Sequence, residues 1–554
     1  MRYSLFTLIT LLALSASVMA QESKRVEITA TYRPEVAPAT KHVAPAHIDD
    51  APSLDLELDY DVRPETWSIE LEDYNFDAAT ATYWDYNRAK PFYLRVGAGA
   101  PLGSDLCLRY ATHNSRLGYF GIGIEHDGGF ISRSNVQGVE RPIERSYDMR
   151  NGIAIHGGVN AGRQMFELSL TGDYDIYNRY AELAEVPFRS HLLNSALNLR
   201  YGDDFSDLSR LNFAVEVHGN YWAHPTPMRG DVQLMFGEGR VGGSLEFARA
   251  FGGNEVGINL GYDMWAGNAT LNYRDVSFGG GVEYARRFGI VDLELGVEYL
   301  YDKVRGMERA SHFVLPHARL LIDLKKAAFA PYIEFDTDVR HNNPSALYAK
   351  NPYIDEDTTF STLPNTRSYA VTAGFAGRLS AARFAYRAYV GGEFMSNYLF
   401  WYVPTPGLFG VEAAANNRLR FGAELEYRPV GDLLFAVGYH HHFDYHDEGY
   451  VNCEPRFVVD ALVEYRLSRF TLYVMSDIIG RREWRDMSRE DGLYATPAKV
   501  DLRAGISFRA SHGFEIYVDG YNLLNRTGAT AIYDYAYYYY RNGIGFMAGI
   551  KLSF

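Results

Sequence analysis

After residue 20 the sequence has no apolar run long enough to cross a bilayer as a helix, which takes about 20 consecutive apolar residues. Basic residues are in deficit: 54 Lys and Arg against 69 Asp and Glu leave a net charge of -15. A chain of that sign lacks the positive surface that phosphate backbones require, so nucleic acid is not an expected partner. Cysteine is scarce. Cys107 and Cys453 are the only two, too few for a disulfide framework, although a single bond between them in an oxidising compartment stays open. Also missing are a Gly-x-Ser-x-Gly elbow, a His-Glu-x-x-His helix and a glycine-rich phosphate loop after a strand. Gly279-Gly280-Gly281 falls inside a strand pattern, where glycine serves a bend or close packing. The chain therefore reads as neither an enzyme nor a holder of an organic cofactor.

What is present begins with Arg2, an apolar stretch Leu5–Ala16 and the small-residue site Val18-Met19-Ala20. This is the pattern of a secretory signal peptide over residues 1–20, cut before Gln21. No cysteine stands at the cut, so a lipid anchor is not expected. Residues 21–90 are rich in proline, alanine and acids, as in Glu35-Val36-Ala37-Pro38 and Asp49-Asp50-Ala51-Pro52. That composition predicts an extended periplasmic arm rather than a globular unit.

From residue 91 to 554 the dominant signal is alternation. In Ile290–Asp302, Val291, Leu293, Leu295, Val297, Tyr299 and Tyr301 share one face, while Asp292, Glu294, Glu298 and Asp302 share the other. Successive side chains of a strand point to opposite faces, so the segment has one apolar and one charged side. Similar splits recur at Leu211–Trp222, Leu419–Arg428, Phe457–Leu467 and Val500–Arg509. Two features assign the apolar side to lipid rather than to a protein core. The apolar faces end in aromatics such as Tyr221, Tyr299, Tyr427 and Phe508, the residues that favour a membrane interface. Connections also alternate in length. Turns such as Asn160–Arg163, Phe251–Asn254, Arg287–Gly289 and Ala510–Gly513 are short, whereas Ile131–Asp148, His224–Gly230, His341–Asn365 and Asn525–Asn542 are long and polar. The prediction is an all-β fold: a transmembrane antiparallel β-barrel of about 22 strands, set in outer-membrane lipid, with short turns on the periplasmic side. Its first pair is expected at Phe92–Ala100 and Asp105–Thr112.

The last strand, Gly543–Phe554, aligns Ile544, Phe546, Ile550, Leu552 and Phe554 on one face and ends in phenylalanine. It resembles the C-terminal signal read by barrel-assembly machinery. Just before it, Tyr517-Val518-Asp519-Gly520-Tyr521-Asn522-Leu523-Leu524-Asn525 resembles the penultimate strand of TonB-dependent receptors, which is followed by a Tyr-rich loop and a last strand ending in Phe. With Val26–Pro34 and its Tyr-rich loops, the chain resembles plug-less receptor-like barrels of Bacteroidota. The resemblance implies the barrel. It departs from the receptors ahead of the barrel, where residues 21–90 stand in place of a large globular plug, so an energised transport cycle is not implied. Val26-Glu27-Ile28-Thr29 reads as a TonB-binding strand or as a plain tether.

One group of side chains points to metal chemistry. On Leu433–His446 the face opposite the apolar one carries His440, His442, Asp444 and His446. Same-face neighbours on a strand lie about 7 Å apart, so two imidazoles can share a zinc or copper ion. The bland reading is a solvated polar rim. The charged faces elsewhere mix Glu216, Glu424, Asp501 and Asp519 with Arg420, Arg428, Arg503 and Lys551. They fit a pore wall or a lumen filled by loops equally well. A barrel this wide normally holds something in its lumen. The function expected is transport across the outer membrane, with the lumen closed by loops, the N-terminal segment or a partner. The alternatives are a structural subunit of an envelope complex, with a periplasmic or surface protein as partner, and a diffusion porin.

Overall fold

The computed structural model describes Lys90–Phe554, apart from residues 101–102, 113–116, 135–142, 180–187, 226–227, 230–231, 234, 325–328, 356–357, 359–362, 380–382, 405–407, 488–489, 491, 526–539 and 542–543. The expected signal peptide, the arm up to residue 89 and the Val26–Thr29 strand lie outside the described residues. None of the described helices is long and apolar enough to cross a membrane.

Twenty-two strands form one antiparallel wall in which each pairs with the next in sequence. The ring closes where Phe92–Ala100 pairs with Gly545–Ser553, in register from Tyr93 opposite Ser553 to Ala100 opposite Phe546. The last residue completes the closure. Phe92 and Phe554 exchange backbone hydrogen bonds of 3.0 and 3.1 Å, and their rings stack at 4.6 Å. The first pair occupies Phe92–Ala100 and Gly103–Ala111, as alternation predicts.

The wall is uneven in height. Phe514–Tyr521 has 8 residues and Gly545–Ser553 has 9. Phe384–Val403 has 20 and Ile143–Ala161 has 19. A membrane strand needs roughly 9–11 residues, so the tall strands continue well beyond the bilayer on the long-loop side. Here the structure corrects one expectation. Much of the predicted loop Ile131–Asp148 is strand, because Gly118–Ser134 and Ile143–Ala161 extend into it as a projecting hairpin. Outside lipid both faces of a strand meet water, so nothing enforces alternation there.

Side chains sort as the period-two pattern requires. Val217, Val241, Val297, Val314, Val390 and Val437 point outward and are exposed, forming the apolar belt of a barrel that stands in lipid. An aromatic band marks its short-turn edge. There Phe470 packs on Phe508 at 4.9 Å, and Arg249 and Arg286 lie over Phe251 and Phe288 at 4.6 and 4.4 Å. Inward faces carry paired charges: Arg95–Asp105 at 2.8 Å, Arg240–Asp263 at 2.7 Å and Arg503–Asp501 at 2.7 Å. Pairing charges within a strand or between adjacent strands offsets the cost of withdrawing them from water. The glycine triplet serves close packing. A Cβ on Gly280 would lie 2.6 Å from Leu260 Cδ2, and one on Gly281 would lie 2.8 Å from Asn259 Oδ1. Cys107 and Cys453 are both buried and form no disulfide.

Asn522-Leu523-Leu524-Asn525 ends Phe514–Tyr521 as a tight turn. Both asparagines take left-handed backbone, φ 48° and 52°, and the Asn525 N–H donates to the Asn522 carbonyl at 2.8 Å. Asparagine is the residue that best tolerates that region after glycine.

Candidate functional site at the long-loop rim

The connection from Ala330–Arg340 to Thr366–Leu379 folds over the long-loop rim. It contains a short helix, Pro344–Lys350. Pro344 opens it, a position where the missing N–H costs nothing. Asn343 precedes the helix, but its side chain makes no capping bond to it. It turns instead to Glu238, at the long-loop end of Phe236–Phe251. The Glu238 carboxylate is 2 % exposed and accepts from the Asn343 amide, the Tyr273 hydroxyl and Ser345 Oγ, the last at 2.6 Å. The Ser345 backbone N–H adds a fourth contact at 3.3 Å. A charge so deeply buried is stable only with several donors around it. The carboxylate thereby fixes the first turn of the helix to the wall.

Residues 348–355 are held by contacts with distant strands. Tyr348 packs against Trp222 at 5.1 Å and His224 at 5.0 Å. Tyr353 meets Tyr177 edge-on at 5.3 Å, and the Tyr177 hydroxyl donates to the Pro352 carbonyl at 2.7 Å. Tyr177 lies on Gln164–Arg179, with seven wall strands between it and Ala330–Arg340. In the other direction Tyr353 and Asp355 exchange backbone bonds of 3.0 and 2.9 Å with Phe409. Tyr177, Trp222, Tyr348, Tyr353 and Phe409 join Trp265, Trp401 and Trp484 in one buried cluster. His341 packs at a tilt on Trp265 at 4.1 Å, and burial pushes its pKa down against the pull of Asp302.

The four residues of the expected metal set share the inward face of Leu433–His446, where His442 and Asp444 meet each other while His440 and His446 turn to other partners. The Tyr389 hydroxyl lies 3.0 Å from His440 Nδ1. His442 Nε2 lies 3.2 Å from Asp444 Oδ2. Asp444 also accepts from Arg418 at 2.7 Å, Asn416 at 3.0 Å and Asn452 at 2.7 Å. His446 packs against Phe400 at 5.1 Å and bonds the Asp447 carbonyl at 3.2 Å. Among the described residues no three His, Cys, Asp or Glu side chains are gathered so as to hold a metal ion. Arg418 organises the group, since it also pairs with Glu454 at 2.7 Å. Burial would raise the Glu454 pKa, but Arg418, helped by His442, holds it below the ordinary carboxylate range.

Sequence reasoning missed Glu238. By alternation it is one more inward acid, and only the folded connection shows that a loop is bound to it.

The sequence matches no family model and no curated protein. Solved structures do match. A copper transporter, OprC, is 11 % identical, with a TM-score of 0.65 over 84 % of this chain and 80 % of its own. The FrpB iron transporter from Neisseria meningitidis is 12 % identical, with a TM-score of 0.66 over 84 % and 82 %. The pyoverdine outer-membrane receptor FpvA from Pseudomonas aeruginosa PAO1 is 12 % identical, with a TM-score of 0.63 over 84 % and 79 %. The chain has the barrel fold of outer-membrane receptors. With its apolar belt, that fold places it in the outer membrane.

Proposed function

We propose that this chain acts in transport across the outer membrane, as a barrel without a globular plug whose lumen is closed by residues 341–355 of its own long-loop connection. The supporting observation is the reach of that connection, from Glu238 and Tyr177 on one side of the rim to Phe409 on the other. A segment anchored by buried contacts on both sides of the rim can close the lumen, and loss of those contacts would open it. Receptors and transporters of copper, iron and pyoverdine sharing the fold support the transport reading.

Planar-bilayer conductance of the purified full chain tests it. The wild type is expected to pass little current. A variant lacking residues 344–362 is expected to open a steady, large conductance. A large unselective current from the wild type alone would overturn closure by the connection.

A further inference from the structure

The two roots of the long connection are tied to each other. Ala330–Arg340 ends just before His341, and Thr366–Leu379 begins just after Asn365. The Asn365 side chain joins them. Its Oδ1 accepts the Asn342 backbone N–H at 3.1 Å, so the amide nitrogen must face the other way. That nitrogen lies 2.7 Å from Asp302 Oδ2 and 3.0 Å from His341 Nδ1. The surroundings of the amide are fixed as well. The Asn342 amide donates to the Pro364 carbonyl at 2.7 Å and to Thr366 Oγ1 at 3.0 Å. Thr366 Oγ1 donates to the Asn397 carbonyl at 2.7 Å, and the Asn397 amide donates to the Asn365 carbonyl at 3.1 Å. Asp302, Asn342, Asn365 and Thr366 are all buried.

This arrangement dictates the protonation state of His341. The Asn365 amide nitrogen has only hydrogens to offer, one to Asp302 and one to His341, so Nδ1 must accept and the ring proton stands on Nε2. A second proton would go on Nδ1, where one N–H would face another across 3.0 Å. Turning the Asn365 amide would set its nitrogen against the Asn342 N–H and take a donor from Asp302. Swinging the ring away would strip it from Trp265. The charges that face the ring are Asp302, Asp263, Arg240 and, from its own strand, Asp338. Arg240 and Asp263 pair with each other at 2.7 Å, and Asp338 pairs with Arg340 at 2.8 Å. Asp302 is left to attract an imidazolium, and direct pairing with it would displace Asn365. Every route to a charged His341 therefore breaks the tie between the two roots.

We propose that His341, Asn365 and Asp302 form a proton-sensitive clasp at the base of the connection, shut while His341 is neutral and released when Nδ1 takes a proton. On the reading that residues 341–355 close the lumen, acid outside the cell opens the path. The direction follows from linkage. A shut clasp takes up a proton less readily than a free imidazole does. It therefore loses ground as pH falls below about 6.5, by up to about tenfold per pH unit.

The test uses the purified full chain in detergent. Hydrogen exchange is followed at the amides of Leu347, Asn351 and Asp355, which donate to the Asn343, Leu347 and Phe409 carbonyls. After correction for the intrinsic effect of pH, their protection is expected to fall about tenfold from about pH 6.5 to about pH 5.5. Amides of the wall at Leu293–Val297 serve as the reference and should hold. His341→Gln takes no proton and is expected to show the same protection at both values. Imidazole nitrogen shifts of histidine-labelled protein, with His341 assigned by the signal the variant loses, are expected to place the neutral proton on Nε2. A flat profile in the wild type would overturn the clasp, as would a neutral proton on Nδ1. The same fall in His341→Gln would also overturn it and assign the proton elsewhere, as to His224 beside Tyr348. Planar-bilayer current separates this proposal from closure of the lumen. Current that rises on acidification supports both, whereas a large current at neutral pH with the exchange step intact would remove the closure and keep the clasp.

Discussion

The two ends of the barrel are held by different means. At the short-turn end each contact links residues of the same or the adjacent hairpin. Arg163 pairs with Asp203 at 2.6 Å, and Arg428 with Glu426 at 2.7 Å. At the long-loop end the contacts leap across the ring, from Tyr177 to Tyr353 and from Trp222 to Tyr348. Local pairs keep the wall in register and allow nothing to move. Long-range apolar packing on a separate connection is a distinct unit of stability, able to open while the ladder stays intact.

Four substitutions break or sharpen this contrast. Tyr348→Ala empties the centre of the rim cluster and is expected to cost the docked connection roughly 3–5 kcal/mol. Cleavage by trypsin after the exposed Lys350 should then accelerate strongly, while the heat-modifiable band of the folded barrel stays put. Loss of that band together with faster cleavage would show that rim and wall form one unit. Glu238→Gln keeps the shape but loses the charge shared by Asn343, Ser345 and Tyr273. An expected cost of about 1–3 kcal/mol gives a smaller rise in the same cleavage. Phe554→Ala removes the ring stacked on Phe92 and should weaken closure by about 0.5–1.5 kcal/mol. That loss would be read as a lower temperature for conversion to the unfolded band, with trypsin cleavage unaltered.

The smallest effect concerns pH. The Arg163 guanidinium, with help from the Phe213 N–H, holds the Asp203 carboxyl below its ordinary range. A depressed carboxylate contributes its full stability above about pH 4 and loses it as pH falls through its folded value. Asp203→Asn should therefore flatten the acid limb of barrel stability and leave trypsin cleavage at the rim untouched. An unchanged acid limb would show that this pair does not matter even locally.

How much of this was legible beforehand follows from which medium surrounds each residue. Where lipid meets one face and a wet lumen the other, as along Val291–Lys303, alternation is compulsory and the strand can be read residue by residue. The inward placement of Glu424, Asp501 and Asp519 was visible for the same reason. Beyond the bilayer that constraint ends, and Gly118–Ser134 looked like loop over its last residues. The helix Pro344–Lys350 is too short to show a period, and Leu347 and Tyr348 acquire meaning only from strands far away in sequence. The histidines of Leu433–His446 were readable as to face, but what each one bonds depends on Tyr389, Arg418 and Asn452, which spacing does not reveal.

The shortest strands of the wall are neighbours, and the ring is sealed among them, between Phe92–Ala100 and Gly545–Ser553. Strands of 8 or 9 residues barely match the hydrocarbon depth, so lipid beside them must pinch inward at some elastic cost. The final zipper of the cylinder thus works against the thinnest patch of membrane the protein creates, and a thicker host bilayer should slow that last joining step more than any other.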